Sequence, residues 1–264
     1  MISSNLRFIL LLIKLKLSHL MVFRLSFFGA FFADGLLFII QIVTFSVIYS
    51  GVDSIGGWSR GQMLIFIGTF SLINALNMVI YFFGVITIPD KIRQGGLDLY
   101  LTKPVSPLLR LTFENVDPGS LPLIVLSGLI IAYGVQVEGI VPGPGVIPGY
   151  CALVILMTLL YYDMELIFRT IPFFTQSMGT ADRLEGEMLN LNFKIPGVLY
   201  KGAFKIVFYF ILPYGIMATV PVQFLTGTLS PAALARAAGT AILFTIFALW
   251  FWRFGLRHYK SASS

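Results

Sequence analysis

Charge is scarce in this chain. Of its 264 residues, 11% are Asp, Glu, Lys or Arg and 57% are apolar, with a mean hydropathy of +0.89. A soluble domain carries roughly 25% charged residues, so a surface this poor in charge excludes a soluble protein. The single cysteine, Cys151, lies in an apolar run and excludes an internal disulfide or a cysteine metal cluster. No Gly-x-x-x-x-Gly-Lys-Ser/Thr loop cradles a nucleotide phosphate, and neither a Gly-x-Ser-x-Gly elbow nor a His-Glu-x-x-His pair occurs. His19 and His258 stand near opposite ends of the chain without metal-ligand spacing. Asp163 and Glu165, two apart on a helix, point in different directions and form no acid–base pair. An intramembrane hydrolase or transferase therefore has no support. The net charge of +6 would suggest nucleic acid in a soluble protein; here it reads as topology, and no nucleic-acid partner is expected.

What is present is a series of long apolar runs. Six segments, 25–50, 63–88, 119–137, 146–168, 203–224 and 234–254, hold 19 to 26 residues each without dyad alternation, which predicts membrane helices and not a barrel. Ahead of them, Arg7, Lys14 and Ser18 share one stripe of residues 1–24, and no small-residue cleavage site follows. That predicts an amphipathic helix lying in the cytoplasmic interface, not a signal peptide. With the N-terminus inside and loops assigned alternately, only Arg60 and Arg236 of the 18 Lys and Arg fall outside. Lys and Arg collect in cytoplasmic loops, so both termini are expected in the cytoplasm. The expected architecture is an all-α integral membrane protein. Its six transmembrane helices occupy residues 25–264, with inner loops at 89–118 and 170–202.

Polar and helix-breaking residues inside these runs are the candidates for a translocation path. Asp34 lies nine residues into the first span, where a carboxylate is costly unless it is paired or faces water. It reads either as a path or helix-interface contact or as a boundary residue neutralised by Arg24. Glu165 and Arg169, four apart in the favourable order, are expected to pair at the cytoplasmic end of the fourth span. Pro213 and Pro221 interrupt the fifth, whose Phe210, Pro213 and Tyr214 are placed with Asp34 on the path.

The polar island at 89–111 carries most of the functional signal. Pro89 suits a first helical turn, Asp90 complements its positive end, and Gly95-Gly96 stops the helix after barely two turns. Leu97, Leu99 and Leu101 alternate with Asp98 and Tyr100, and Lys103-Pro104 ends the unit. The expected product is a short helix and a rigid elbow exposing a few apolar side chains ringed by charge, a docking element for a soluble partner. Ile92, Arg93, Gly95, Gly96, Leu97, Asp98, Tyr100, Lys103 and Pro104 are its candidate residues.

The run Ile92-Arg-Gln-Gly-Gly-Leu-Asp-Leu-Tyr-Leu-Thr-Lys-Pro-Val-Ser-Pro107 resembles the signature loop of bacterial type 2 (ABC-2) exporter permeases, six-span subunits that work with a separate ATPase. Ile55-Gly-Gly-Trp-Ser59 and Phe210-Ile-Leu-Pro-Tyr-Gly-Ile-Met-Ala-Thr-Val-Pro221 extend the likeness over nearly the whole chain. Gly96 departs from it: the family usually has an acidic residue there, so no ion pair from that position is carried over. The resemblance implies that the 89–111 loop is a coupling helix seated in a groove of an ABC ATPase. It implies that residues 1–24 form an interfacial helix against lipid and ATPase, and that a small extracellular re-entrant turn follows Pro221. It further implies that two permeases, identical or paralogous, pack through their first and fifth spans in an inner (plasma) membrane. Such a subunit performs no chemistry and holds no cofactor; ATP and Mg belong to its partner. A secondary transporter or channel acting without an ATPase, and a membrane scaffold that recruits a soluble partner, are the competing readings.

Overall fold

A computed structural model describes Lys14, residues 24–175 and residues 179–259. The expected amphipathic helix at 1–24 therefore falls almost wholly outside the described residues. Every named element is helical, and one isolated bridge pairs Ile55 with Trp58. Helix α1 spans Arg24–Ile48 and α2 spans Arg60–Asn77. Ser59 starts α2 by accepting the Gln62 N–H at 3.1 Å, while the Gln62 side chain accepts the Ser59 N–H at 3.2 Å. A π-turn at Met78–Phe82 and a short α-turn at Phe83–Val85 then carry the chain on. Three short helices follow: α3 (Ile88–Arg93), α4 (Asp98–Leu101) and α5 (Pro107–Phe113). Helices α6 (Leu121–Glu138) and α7 (Val146–Thr170) form a long hairpin. The remainder is α8 (Gly179–Lys194), α9 (Gly202–Ile206), α10 (Tyr214–Met217), α11 (Thr219–Leu225) and α12 (Pro231–His258).

Small residues decide how closely these helices approach. A Cβ on Gly61 would overlap Glu138, on Gly68 it would press into Ile131, and on Gly134 into Ile65. The α2–α6 contact is thus glycine-mediated and antiparallel, the arrangement lipid-embedded helices use where backbones must approach. Helix α7 runs parallel to α2: Thr69 and Tyr150 hydroxyls meet at 2.7 Å, the Tyr81 hydroxyl donates to the Thr158 carbonyl at 3.0 Å, and Asn77 donates to Glu165. Helix α12 follows the same direction, Thr245 donating to Asp163 and Gly255 packing on Thr170 and Phe173. The bundle so defined has a basal end, carrying α3–α5 and the end of α12, and an apical end, carrying the 49–59 and 139–145 turns.

Four helical stretches, Arg60–Arg93, Pro118–Glu138, Val146–Phe173 and Pro231–His258, are long and apolar enough to cross a membrane. A fifth is counted if Gly202–Ile211 and Tyr214–Leu225, bent by 79° at Pro213, are one span. The bend has a local cause. Leu212, preceding proline, leaves the helical region at φ −129°, ψ 79°, and Pro213 has no N–H to continue the ladder.

Two expectations change here. Residues 170–202 do not form one loop at one end. Arg169, at the basal end of α7, pairs with Glu185 at 2.9 Å, yet Leu199 packs directly over Gly56 in the apical turn. Helix α8 therefore carries the chain the length of the bundle. Its polarity hid this: a run containing Asp182, Arg183, Glu185, Glu187, Asn190 and Asn192 reads as a solvated loop, yet Glu185 and Asn192 are buried while Arg183, Glu187 and Asn190 stay exposed. The second change follows. Gly197 lies against the Gly215 backbone and donates to Thr219 at 3.0 Å, and Lys205 shares a cavity with Gln223 and Arg236. Both arms of the bent pair thus begin and end apically, with Tyr214 at the inner apex against Tyr161 of α7 (ring centroids 6.4 Å apart). The expected fifth span at 203–224 is thus a pair of helices bent by 79°, and we read it as a re-entrant hairpin.

This geometry puts Lys201 and Lys103 at opposite ends. Single cysteines introduced by Lys201→Cys and Lys103→Cys in a Cys151→Ser background should react with a membrane-impermeant maleimide from opposite faces of the membrane. Labelling of both from one face would refute the path assigned to α8.

Candidate functional site

The basal loop between α2 and α6 is built around one carboxylate. Glu114, just past α5, accepts from the Lys91 ammonium at 2.8 Å and from the Tyr100 hydroxyl at 2.6 and 2.8 Å, and Arg110 Nε lies 3.7 Å away. The Arg110 guanidinium also sits over the Tyr100 ring, 4.6 Å from its centroid, and the Lys91 ammonium 5.2 Å from it. Lys91 comes from α3, Tyr100 from α4, and Arg110 with Glu114 from α5, so one acid ties three short helices together. Burial first, and then the hydrogen bond to Glu114, hold the Tyr100 hydroxyl well above the ordinary tyrosine value, so it stays a donor.

Helix α3 forms because Pro89 occupies its first turn and Asp90 complements the N-terminus, as the sequence predicts. Gly95, at φ +72°, turns the chain back so that the Leu97 N–H reaches the Lys91 carbonyl at 3.1 Å. Gly96 packs near the Lys91 backbone with a negative φ. The turn directs apolar side chains inward. Ile92, Leu97 and Tyr100 join Tyr81, Val85, Ile88, Leu111, Leu166, Ala248 and Trp252 in a buried cluster. Gly84 permits this, since a Cβ there would overlap the Leu111 carbonyl.

The candidate docking residues therefore divide. Ile92, Leu97 and Tyr100, expected at the surface, are buried, because the two glycines fold α4 back onto α2 and α7 instead of leaving it extended. Asp98 is half-buried; it and burial, burial foremost, push the Tyr259 hydroxyl at the end of α12 above its ordinary value. On the outer face stand Leu99 (68% exposed) and Leu101 (44%), with Arg93, Lys103 and Pro104. Arg93 pairs with Asp90 at 2.6 Å across one exposed turn, a contact worth little by itself.

Of the path candidates, Pro213 and Tyr214 are buried at the apex of the re-entrant hairpin, and Phe210 is exposed on its outer arm. Asp34 falls in α1, and its side chain is outside those described. Sequence reasoning missed Glu114, although two opposite-charge partners, Lys91 and Arg110, within one short polar segment were a usable signal. It also missed Glu185, the partner of Arg169 at 2.9 Å with side chains 3% and 7% exposed. No group of three or more potential metal ligands occurs among the described residues.

A family model described as ABC-2 family transporter protein matches residues 36–263. No curated protein and no solved structure matches.

If Glu114 holds the loop, its contacts are mutually dependent. Tyr100→Phe or Glu114→Gln should each lower the unfolding temperature of the purified protein by roughly 3–6 °C, from the usual worth of a hydrogen bond to a charged group. The double variant should fall well short of the sum. Additive effects in a thermal melt would show that the clamp does not act as a unit.

Proposed function

Because the chain belongs to the ABC-2 family of transporter proteins, membrane transport components that generally partner an ATPase, we propose that it is the permease subunit of an ATP-driven exporter. The observation that carries this reading is the basal loop: a prefolded, internally clamped element with Leu99 and Leu101 exposed between Arg93 and Lys103. Small apolar contacts inside a charged rim are the anatomy of a docking surface, and rigidity is what a coupling element needs. The ATPase would supply the nucleotide and magnesium chemistry; this chain would supply movement.

The chain traverses the bundle six times when α8 is counted and the hairpin at 202–225 is taken as re-entrant. The basal end carries Lys91, Arg93, Lys103, Arg110, Arg169, Arg183, Arg253 and Arg257, against Arg60, Lys194, Lys201, Lys205 and Arg236 apically. That bias supports a cytoplasmic basal end with both termini inside an inner (plasma) membrane, though it is weaker than the loop assignment from sequence. Leu36, Ile39, Ile40, Val43 and Val47 leave one face of α1 uncovered. A second permease, identical or paralogous, is the occupant we assign to it, with lipid on the outer faces of α6 and α12. Asp34, Phe210, Pro213 and Tyr214 remain the path residues of this proposal, and residues 1–24 its interfacial helix.

In this mechanism nucleotide-driven closure of the ATPase dimer moves the basal loop as a body. The helical stretch Arg60–Arg93, which includes the π-turn at Met78–Phe82, joins that loop to the apical turn, so the push has a direct route to the far end of the permease. A second reading, a proton-coupled transporter without an ATPase, is favoured by one observation: Asp163 and Glu165 are buried inside the bundle. It predicts transport by the purified chain alone.

Leu99→Asp combined with Leu101→Asp should leave membrane insertion intact and reduce the ATPase recovered with the tagged permease at least about tenfold, the scale of losing central apolar contacts. Mass spectrometry of the co-purified proteins reads the result. Undiminished ATPase recovery would remove the docking role, and recovery of the wild-type chain with no ATPase would favour the second reading.

A further inference from the structure

The apical end holds a cavity of about 430 Å³ between the re-entrant hairpin and α12. Lys205 and Tyr209 come from the descending arm, Gln223 from the ascending arm, and Arg236 and Thr240 from α12. Phe210, Ile216, Val220, Ala233 and Ala237 complete the wall. Two cations from separate elements thus line one space, and no carboxylate lines it. Neither Lys205 nor Arg236 makes an ion pair among the described residues; Lys205 lies 5.6 Å from the Tyr209 ring centroid. Gln223, Tyr209 and Thr240 add neutral donors beside them.

Position and surroundings restrict what such a space accepts. Arg236 is five residues into α12 from Pro231, about 8 Å along the axis, which is headgroup depth if α12 enters the membrane at its N-terminus. The walls lead onto exposed apolar side chains: Phe204, Ile206, Phe210 and Ile211 of the hairpin, and Ile242 and Leu243 on the next turn of α12. A free inorganic anion would be matched by the cations but would leave this apolar surface unused. An apolar drug would leave two cations without a counter-charge. Both demands are met by an amphipath with an anionic head and a hydrocarbon tail.

We infer that the cavity between the re-entrant hairpin and α12 binds the anionic headgroup of a lipid-like amphipath, with Lys205 and Arg236 as its charge partners and the tail lying along α12. The inference rests on the transporter reading above and gives it a substrate or regulatory ligand of stated chemistry. It also gives Lys205 and Arg236 at the apical end a role that topology alone does not.

The test uses the full-length protein in dodecyl maltoside and native mass spectrometry, titrating dioleoyl phosphatidylglycerol, dioleoyl phosphatidylcholine and inorganic phosphate in turn. The wild-type chain should retain its first phosphatidylglycerol at least about tenfold more tightly than phosphatidylcholine, as two charge-assisted contacts imply. Lys205→Gln with Arg236→Gln should abolish that preference, while Lys205→Arg with Arg236→Lys should keep it, which separates charge recognition from misfolding. Phe210→Ala should weaken both lipids together. An unchanged preference in the Gln pair would overturn the proposal. So would inorganic phosphate displacing phosphatidylglycerol at equal concentration, which would identify a site for a free anion. Because ATPase recovery is measured separately on the same variants, loss of this site and loss of the permease reading are distinguishable.

Discussion

The ion pair of Arg169 with Glu185 is the constraint around which the rest of the bundle is arranged. Neither side chain reaches solvent, and removing one partner of such a pair typically costs about 3–5 kcal/mol because the other is left charged and unpaired. Helix α8 buries one side only: Glu185 lies near Tyr161 and Tyr214, and the Tyr200 hydroxyl donates to Asn192 at 2.9 Å, while Arg183, Glu187 and Asn190 are exposed on the other side. The apolar helices then face outward. Val125, Leu129 and Tyr133 of α6 and Ile242, Leu243 and Ile246 of α12 are exposed. In a membrane protein that is the expected inversion, with polarity inside and apolar surface toward lipid.

Once α8 is held inside, the re-entrant hairpin has no alternative route. The chain arrives at the apical end at Leu199 and must leave it again at Pro231, so residues between them can only dip and return. Pro213 makes the apex sharp, and the pairing of Gly197 with Gly215 lets the hairpin backbone press against the loop it descends from. At the opposite end, Gly84 and Gly95 do comparable work for the basal loop. One allows α5 to lie against the end of α2, and the other reverses the chain so that Leu97 is buried rather than exposed.

Much of this was legible in the residues. Four of the six apolar runs fall in helical stretches long and apolar enough to cross a membrane, with boundaries within a few positions, because run length is the dominant signal in hydrocarbon. The turns of the basal loop were legible from its punctuation by Pro89, Gly95 and Pro104. What failed was direction. Alternation along 97–101 looked like a surface motif, yet the chain reversal at Gly95 sends Leu97 and Tyr100 inward and leaves Leu99 and Leu101 outward. Hydropathy likewise assigned α8 to a loop at one end and the bent pair at 202–225 to one straight span, and foresaw neither the path of α8 between the two ends nor the bend at Pro213. A polar helix that buries only one side and an apolar segment that turns back both defeat a criterion that assumes each segment meets lipid alone. The charge count inherited that error, since Lys194, Lys201 and Lys205 were placed basally with the supposed loop.

The two functional regions meet on adjacent residues of α7. Tyr162 packs edge-on against Tyr81, 4.9 Å between centroids, and Tyr81 belongs to the cluster that seats the basal loop. Tyr161, the residue before, packs against Tyr214 at the hairpin apex. Tyr81 lies in the π-turn of α2, where the helical ladder is widened, and Tyr214 follows the proline break, so each ring is attached to the most easily displaced point of its element. A movement of the loop that shifts Tyr81 therefore presses on one face of α7 while the hairpin apex rests on the neighbouring face. Contiguity of this kind is not itself proof of coupling. It does restrict how coupling could occur: a rigid displacement of α7 by even one side-chain width must either carry the hairpin with it or open the Tyr161–Tyr214 contact. The second outcome would expose the Tyr214 hydroxyl, which is buried at the apex without a hydrogen-bond partner among the described residues. A buried hydroxyl left unsatisfied typically costs about 1–3 kcal/mol, so opening this contact to water would offset part of the packing it loses.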